Sequence, residues 1–494
     1  MAKTRPYLFY DVVISICSTC YQRVDAKTVF QDGKVYLLKR CPQHGAERVL
    51  IADDIDYYRR SREVFIKPPE MPLVYNTPVK WGCPYDCGLC TDHEQHSCLT
   101  LVEICDYCNL RCPVCYASSG PERQQFRDLK QIEKMLDAVV RNEGHPDVVQ
   151  LSGGEPTVHP NFFEIVEMAK ARPIRHLMVN TNGVRIAQEE DFARRLADYK
   201  EDFEVYLQFD SFEREPLMQL RGADLRRIRE DALEKLNRYN ISTNLVVTLK
   251  KGLNDHEVGK TIDFALQQPC VRGVTFQPIQ DAGRAENFNP ATDRLTLTEV
   301  RRKILEQTNV FRPEDVIPVP CHPDSLAMAY ALKGNANVTP LTSLIPPEVL
   351  INGAANTILY EQEPAVRDGL FKLFATNHSP ESSAGTLREL LCCLPKVWIP
   401  DTARAGTDAL VRPAEQSSAA PALSYDNIFR IIIMQFIDAH SFDVRSVKKT
   451  CVHIVHPDGR LIPFDTYNLF YRDDLEQTRL APLRKRAEAA LAPV

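Results

Sequence analysis

Six short apolar runs, each followed by a charged segment of helical period, constrain this chain's fold more than any other feature. The runs are LTLVEIC (99–105), VVQLSGG (148–154), HLMVNTNG (176–183), EVYLQFDS (204–211), STNLVVTL (242–249) and GVTFQPI (273–279). Between them lie segments such as DLKQIEKMLDAVVRN and LRRIREDALEKLNRY, whose apolar residues recur at helical spacing. Repeated strand–helix units predict an α/β fold: a parallel sheet with helices outside, partly closed as a TIM-like (β/α)6 barrel. Function in such barrels sits on the loops after the strands. The polar clusters of this sequence fall there. Cys108, Cys112 and Cys115 follow the first run, Gly153, Gly154, Glu155 and Pro156 the second, and Asn180 to Gly183 the third. Gln208 and Asp210 end the fourth, Thr248 the fifth and Gln277 the sixth. Any one of these could be ordinary capping; six in register point to a site.

Cysteine usage narrows the chemistry. Of 16 cysteines, eleven lie at or before Cys115, in tight clusters. The first residues lack the form of a secretory signal, because Asp11 interrupts a short apolar run, so metal ligation accounts for the clusters better than disulfides. Cys108, Cys112 and Cys115 are spaced C-x3-C-x2-C. Three such thiolates can hold three corners of a 4Fe–4S cubane and leave the fourth iron open for chemistry. A structural zinc knot is the alternative, but it usually pairs C-x2-C units and closes with a fourth ligand.

Two further groups precede that triplet. Cys17 and Cys20, then Cys41 and His44, make two knuckles about twenty residues apart, as a zinc ribbon or rubredoxin-type iron site requires. His44 would complete a zinc site; a later cysteine such as Cys105 would complete an all-thiolate one, which suits iron as well. After a proline-rich connector (Lys67 to Pro78), Cys83, Cys87 and Cys90 repeat C-x3-C-x2-C, and Cys98 lies eight residues on. These four could close an auxiliary, electron-carrying 4Fe–4S cluster or a second zinc site.

The chain of 494 residues has 44% apolar and 26% charged residues and a net charge of -6, which gives no electrostatic reason for a nucleic-acid partner. Its longest apolar candidate, Ile431 to Ile437, is far short of the ~20 residues a membrane-spanning helix needs, so a soluble, cytoplasmic protein is expected.

CNLRCPVC, SGGEP on the next strand and NTNG on the third together resemble the radical S-adenosylmethionine (radical SAM) superfamily, over roughly residues 99–284. The resemblance implies that the open iron of the Cys108/Cys112/Cys115 cluster chelates SAM, and that Gly153 and Gly154 let backbone approach closely. It further implies that Glu155 holds the methionine ammonium. Pro156, Asn182, Gln208, Asp210 and Gln277 are candidates for contacting SAM or substrate. One electron then cleaves the sulfonium bond, and the 5′-deoxyadenosyl radical takes hydrogen from an unactivated C–H bond. An electron donor such as ferredoxin or flavodoxin is implied as partner. His93, His96 and His159 are expected to be structural rather than catalytic.

The whole layout is similar to a narrower group, the radical SAM enzymes like tetraether lipid synthase, once described as pterin methyltransferases. The shared features are the leading C-x2-C…CPQHG unit, WGCPYDCGLC, PCHPDS and the final CVHIVHPDGRLIPFDTYN. This implies a lipid chain as substrate, with possible peripheral membrane contact; a pterin or peptide is the alternative substrate, and a non-catalytic iron–sulfur carrier the alternative class. Some members have cysteines where this chain has Ser325 and Asp465, which leaves Cys321 and Cys451 as either cluster ligands or ordinary buried thiols. The expected organisation is a metal-binding knuckle domain (1–75), an auxiliary-cluster segment (76–98) and the barrel (99–284). A helical extension (285–401), an Ala/Pro/Ser-rich linker (402–424) and a C-terminal α+β subdomain (425–494) follow. Pro457-Asp458-Gly459 between apolar runs predicts a hairpin. Cys392 and Cys393 read as buried core.

Overall fold

The computed structural model describes residues 5–65, 70–334, 338–343, 347 and 427–491. Cys392, Cys393, the 402–424 linker and the later part of the expected helical extension lie outside the described residues.

The N-terminal unit is an antiparallel sheet of β1 (Leu8–Ile16), β2 (Arg23–Gln31), β3 (Lys34–Cys41) and β4 (Gly45–Ala52), paired in sequence order. Alternation along these strands turns Val13, Ala26, Leu37 and Val49 to one face as a small core. Helix α1 (Ile55–Glu63) follows, its first turn capped by Asp54, which accepts from the Tyr57 N–H.

The chain then enters the barrel. Its elements are β5 (Leu99–Cys105), the two-residue β6 (Val114–Cys115), α2 (Leu129–Glu143), β7 (Val148–Gly153), α3 (Phe162–Lys170) and β8 (His176–Thr181). They continue with α4 (Val184–Gln188), α5 (Glu190–Leu196), β9 (Phe203–Gln208), α6 (Arg214–Arg221) and α7 (Arg226–Tyr239). The series ends with β10 (Thr243–Leu249), α8 (Val258–Gln267), β11 (Val271–Pro278), β12 (Arg284–Ala285) and α9 (Leu297–Gln307). Strands β5, β7, β8, β9, β10 and β11 pair in that order, all parallel, as the six periodic runs predict. Outward residues such as Val102, Leu151, Val179, Val205 and Val247 pack under Ile132, Leu136, Ile165, Leu233 and Ile262 of the helices. The inward set is mixed: Val148, Met178, Tyr206 and Val246 sit beside Gln150, Glu204 and Asn244, all buried.

Beyond α9 the structure departs from the sequence expectation. The 285–401 segment does not remain helical: β13 (Ile317–Pro318), β14 (Leu326–Lys333) and β15 (Val338–Pro340) follow α9. The run LAMAYALK is buried at seven of its eight positions, so it lacks the polar face of a surface helix and instead sits inside the sheet. The C-terminal segment is likewise not a separate subdomain. Strand β16 (Ile428–Met434) pairs parallel to β11 at one end of the sheet. After α10 (Val444–Lys448), β17 (Val452–Val455) pairs parallel to β5 at the other end, and the Pro457–Gly459 turn returns it antiparallel as β18 (Leu461–Pro463). Helix α11 (Ala481–Leu491) ends the described chain. The main sheet therefore runs β13-β14-β16-β11-β10-β9-β8-β7-β5-β17-β18, with eight parallel strands flanked by antiparallel ones.

The sheet's two ends face each other across a seam. Phe436, just past β16, stacks on Phe464, just past β18, with ring centroids 3.8 Å apart. The Ile437 N–H donates to the Asp465 carboxylate at 2.6 Å. Residues from both ends, including Leu326, Met328, Ile432, Leu101, Val452 and Ile462, share one core. Among the described residues no helix is long and apolar enough to cross a membrane.

Candidate active site

The loop after β5 carries Cys108, Cys112 and Cys115, and all three border a cavity of 170 Å³ inside the barrel. The loop is fixed from several sides. Cys115 belongs to β6, which pairs with β12, and the Arg284 guanidinium donates to the carbonyls of Cys112 and Ser119, each at 2.6 Å. Asp106 takes ion pairs from Arg123 and Arg127 at 2.9 and 3.1 Å. The three sulfurs do not all lie within 4.8 Å of one another, so they do not close on a single ion. Their common orientation toward the cavity with wider separation fits three corners of a 4Fe–4S cubane. Burial pushes the Cys108 and Cys112 thiols up, so the thiolate form needs a cation beside it.

Gly153 and Gly154 serve this loop directly. Gly153 has φ of +124°, and a Cβ there would overlap the Cys105 carbonyl. A Cβ on Gly154 would overlap the Tyr107 carbonyl. The close approach that the glycines permit is thus to the cysteine loop's own backbone, with the Gly154 N–H donating to Cys105 O at 2.8 Å and Glu155 N–H to Tyr107 O at 2.9 Å. Glu155 is buried at 1% exposure. Its Oε1 accepts from the Thr157 N–H and hydroxyl and from the Thr181 hydroxyl, while Oε2, among the described residues, accepts only from the Asn182 N–H at 2.7 Å. Burial raises its pKa against those hydrogen bonds. Pro156 starts the short helical turn that follows and does not border the cavity.

Asn182 borders the cavity and braces the triplet loop, donating to Asn109 Oδ1 at 2.7 Å. Gln208 and Gln277 also border it; Gln208 donates to Asn180 at 2.9 Å and Gln277 to the Tyr206 hydroxyl at 3.2 Å. Asp210 does not. It is wholly buried, with a left-handed backbone (φ +66°), and accepts from Arg221, Arg229 and the Thr248 N–H. Burial opposes its charge, but the two guanidinium groups hold the carboxyl below its usual range. Arg221 is a cavity-lining residue that the sequence pattern misses. Lying at the end of α6, it borders the cavity, donates to Gln208 Oε1 at 2.9 Å and Thr248 Oγ1 at 2.8 Å, and also reaches the Cys112 thiol. One arginine in a charged amphipathic helix carries no local signal that it turns inward.

The remaining cysteines sort into distinct groups. Cys17, Cys20, Cys41 and His44 converge, with Cys20 and Cys41 sulfurs 3.8 Å apart and His44 Nδ1 at 3.6 and 3.5 Å from Cys17 and Cys41. His44 thus stands where Cys105 was the alternative; Cys105 is buried in β5 beside the Tyr107 and Glu155 carbonyls. Cys83, Cys87 and Cys90 are carried on a turn that Asp86 holds by accepting from Lys80, Trp81 and Gly82 N–H groups. Their sulfurs, too, do not all lie within 4.8 Å of one another. Cys98 does not join them as the sequence spacing suggests. It precedes β5 where β17 begins, and converges with Cys321 and Cys451 instead. Of the histidines, His93 and His159 are buried and bond backbone carbonyls, and His96 lies between Glu70 and Glu143.

Residues 102–265 match the radical SAM superfamily, and residues 9–53 match the HMPTM N-terminal zinc ribbon domain. The chain is 29% identical over 499 residues to 7,8-dihydro-6-hydroxymethylpterin dimethyltransferase of Methanocaldococcus jannaschii, covering 96% of each chain. It is 26% identical over 237 residues to GTP 3',8-cyclase of Alkaliphilus oremlandii, covering 47% of this chain and 69% of that one. Among solved structures, SuiB of Streptococcus suis is 16% identical with a TM-score of 0.35, covering 42% of this chain and 45% of that one. The cysteine loop and the glycine turn that locks it lie within the matched region, and the pterin enzyme is similar along nearly the full length. Over residues 102–265, which hold the cysteine loop and the glycine turn, the chain is thus similar to the radical SAM superfamily of enzymes.

Proposed function

We propose that this enzyme binds SAM at the Cys108/Cys112/Cys115 face and abstracts hydrogen from a carbon of a pterin-type heterocycle, which it thereby modifies. The cavity wall carries the substrate reading. Gln150, Asn180, Gln208, Gln277 and Tyr206 all border it. Several of these groups bond one another, and a long alkyl chain would return no hydrogen bond to the donors and acceptors they keep free, costing roughly 1–3 kcal/mol for each one left unpaired. A bicyclic heterocycle edged with ring nitrogens and a carbonyl can pair with them, and Phe436 and Phe464 offer aromatic surface. The substrate named for the Methanocaldococcus jannaschii relative agrees with this reading.

A bound cluster and SAM supply one-electron cleavage of the sulfonium bond and hydrogen abstraction by the deoxyadenosyl radical. For the chain's part, the three thiolates would hold three irons. Glu155 Oε2, which accepts a single hydrogen bond among the described residues, has capacity left for an ammonium donor. Arg221 offers a cation at the cavity for a carboxylate. A second reading, with a lipid chain as substrate, is favoured by the aliphatic part of the lining, where Leu99, Leu101, Met434, Ile437 and Val452 come together.

The test is an anaerobic reaction of the reduced, cluster-loaded protein with SAM and either a reduced hydroxymethylpterin or a saturated phospholipid. Formation of 5′-deoxyadenosine with a mass change in the pterin is expected, and none of either in Cys112→Ala. Normal SAM cleavage by Cys112→Ala would refute the assignment of the triplet. A product from the lipid and none from the pterin would replace the substrate reading.

A further inference from the structure

Five cations surround the turn that carries Cys83, in a chain whose net charge is -6. Arg23 reaches the turn from β2, donating to the carbonyls of Trp81 and Gly82, and its guanidinium lies 4.5 Å from the centre of the Tyr85 ring. Lys80 lies over the Trp81 ring at 4.3 Å, and Arg484 of α11 lies over the same ring at 4.7 Å. Arg479 sits 3.8 Å from the centre of the Tyr21 ring, and the Tyr21 carbonyl accepts from the Tyr85 hydroxyl. Arg486 is exposed on α11, and its charge acts on that same hydroxyl. We propose that this face is the docking site for a small acidic protein that delivers one electron to the enzyme.

Charge balance sets this surface apart. Among the described residues, Lys80 and Arg484 have carboxylate partners, Glu488 at 2.6 Å and Glu476 at 3.0 Å, whereas Arg23, Arg479 and Arg486 have none. Arginines on the barrel helices pair within their own helix instead: Arg194 with Asp191, Arg227 with Asp231 and Arg238 with Glu234. The surplus charge at the turn is also held in place. Arg23 is fixed by two backbone carbonyls, and Arg484 donates to the Tyr85 carbonyl at 2.8 Å. A partner therefore meets cations already ordered, and loses little entropy in fixing them. Like charges so gathered repel one another, and an acidic surface relieves that repulsion while steering its own approach.

Position supplies the second argument. Cys83 is partly exposed at this face, whereas Cys87 and Cys90 are buried. A packed path leads inward from the turn. The Tyr471 hydroxyl accepts from the Cys87 N–H at 2.9 Å and donates to the Tyr85 carbonyl at 3.2 Å. Tyr471 and Phe464 belong to one buried segment, and Phe464 packs on Tyr116, the neighbour of Cys115, with ring centroids 5.0 Å apart. The turn is thus joined to the catalytic loop through bonded and packed protein. In the transfer the carrier is oxidised by one electron and the enzyme reduced by one, with no atom exchanged. This inference rests on the one-electron chemistry proposed above and adds the partner that supplies it. An anionic membrane would attract the same cations, but α11 turns Leu483 into the protein and exposes Lys485, Arg486 and Glu488, so its charged face suits a protein partner better than insertion into lipid.

The experiment measures binding of a plant-type 2Fe–2S ferredoxin, a small acidic electron carrier, to the full-length, cluster-loaded enzyme. Wild type is compared with Lys80→Glu/Arg486→Glu and with a control of equal charge change on the barrel helices, Arg194→Glu/Arg227→Glu. Wild type is expected to bind, and to lose affinity about tenfold between roughly 50 and 200 mM salt. Lys80→Glu/Arg486→Glu is expected to bind about tenfold more weakly than wild type at low salt, and the control within about threefold of it. Hydrogen exchange on the wild-type complex, which needs no variant, should show protection over residues 80–86 and along α11. With dithionite in place of the carrier, all three proteins should form 5′-deoxyadenosine at the same rate. Ferredoxin that does not bind wild type, protection confined to another face, or equal weakening in both variants would overturn the proposal. Capture of wild type by phosphatidylglycerol vesicles without binding of ferredoxin would make the face a membrane contact and overturn it equally. Absence of 5′-deoxyadenosine from dithionite-reduced wild type would instead sink the one-electron chemistry, and the need for a carrier with it.

Discussion

Arg221 gathers four acceptors around one guanidinium: Gln208, Asp210, Thr248 and the Cys112 sulfur. A lysine cannot replace it, because an ammonium is a point charge without the planar fork that spans these partners. Arg221→Lys is expected to slow 5′-deoxyadenosine formation by about ten- to a hundredfold, the equivalent of one lost hydrogen bond to a charged group. Iron content should be unchanged; loss of the cluster would instead make Arg221 a structural support. The residue scale also shows where local sequence was legible. SGGEP was readable as a place where backbone approaches closely, but that its glycines pack on the Cys105 and Tyr107 carbonyls depended on which loop β5 brings beside β7. Asp210 looked equivalent to Gln208, both near the end of an apolar run. The left-handed turn at Asp210 sends its carboxylate away from the cavity to Arg221 and Arg229.

At the level of elements, the barrel interior joins strands that are not neighbours in the sheet. Glu204 on β9 and Arg430 on β16 form a buried ion pair, with the Arg430 Nη2 at 2.5 and 2.6 Å from the two carboxylate oxygens. Both side chains are almost fully buried, so removing one takes from the other the opposite charge that offsets its burial. Glu204→Ala is expected to destabilise the protein by about 3–5 kcal/mol, measured by denaturant unfolding. Replacing both by apolar residues of similar volume should recover most of that loss; equal damage from the double variant would show that the pair does more than neutralise itself. Periodicity made the six parallel strands readable because each is a local run with a local helix after it. Strand β14 was not readable in this way, since burial on both faces gives it no period-two pattern to set against a helix.

Across the whole molecule, the chain outside the six repeats closes the barrel. Strands β16 and β17 extend its two ends, and Asp465 sits at their junction, accepting from the Ile437 N–H and the Thr450 hydroxyl. Burial pushes its carboxyl up to about 7 despite those donors. The folded value lies above the unfolded one, about 3.9, so the protonated acid contributes stability that is full at low pH and lost as pH rises through about 7. Asp465→Asn, which stays neutral, should gain melting temperature relative to wild type as pH goes from about 5 to 8. A difference that stays constant across that range would exclude a buried acid at the seam.

By itself the amino-acid sequence determined the six strand–helix units, the triplet followed by its glycine turn, and the ribbon with His44 in reach, because each is written in residues close together along the chain. Only the tertiary structure decided that Cys98 leaves the cysteines beside it for Cys321 and for Cys451, which are themselves 130 positions apart. It also decided that Arg221 turns inward and that the last strands are divided between the two ends of one sheet. These arrangements are set by how a curved sheet brings its ends together, a long-range packing outcome that spacing and periodicity do not encode.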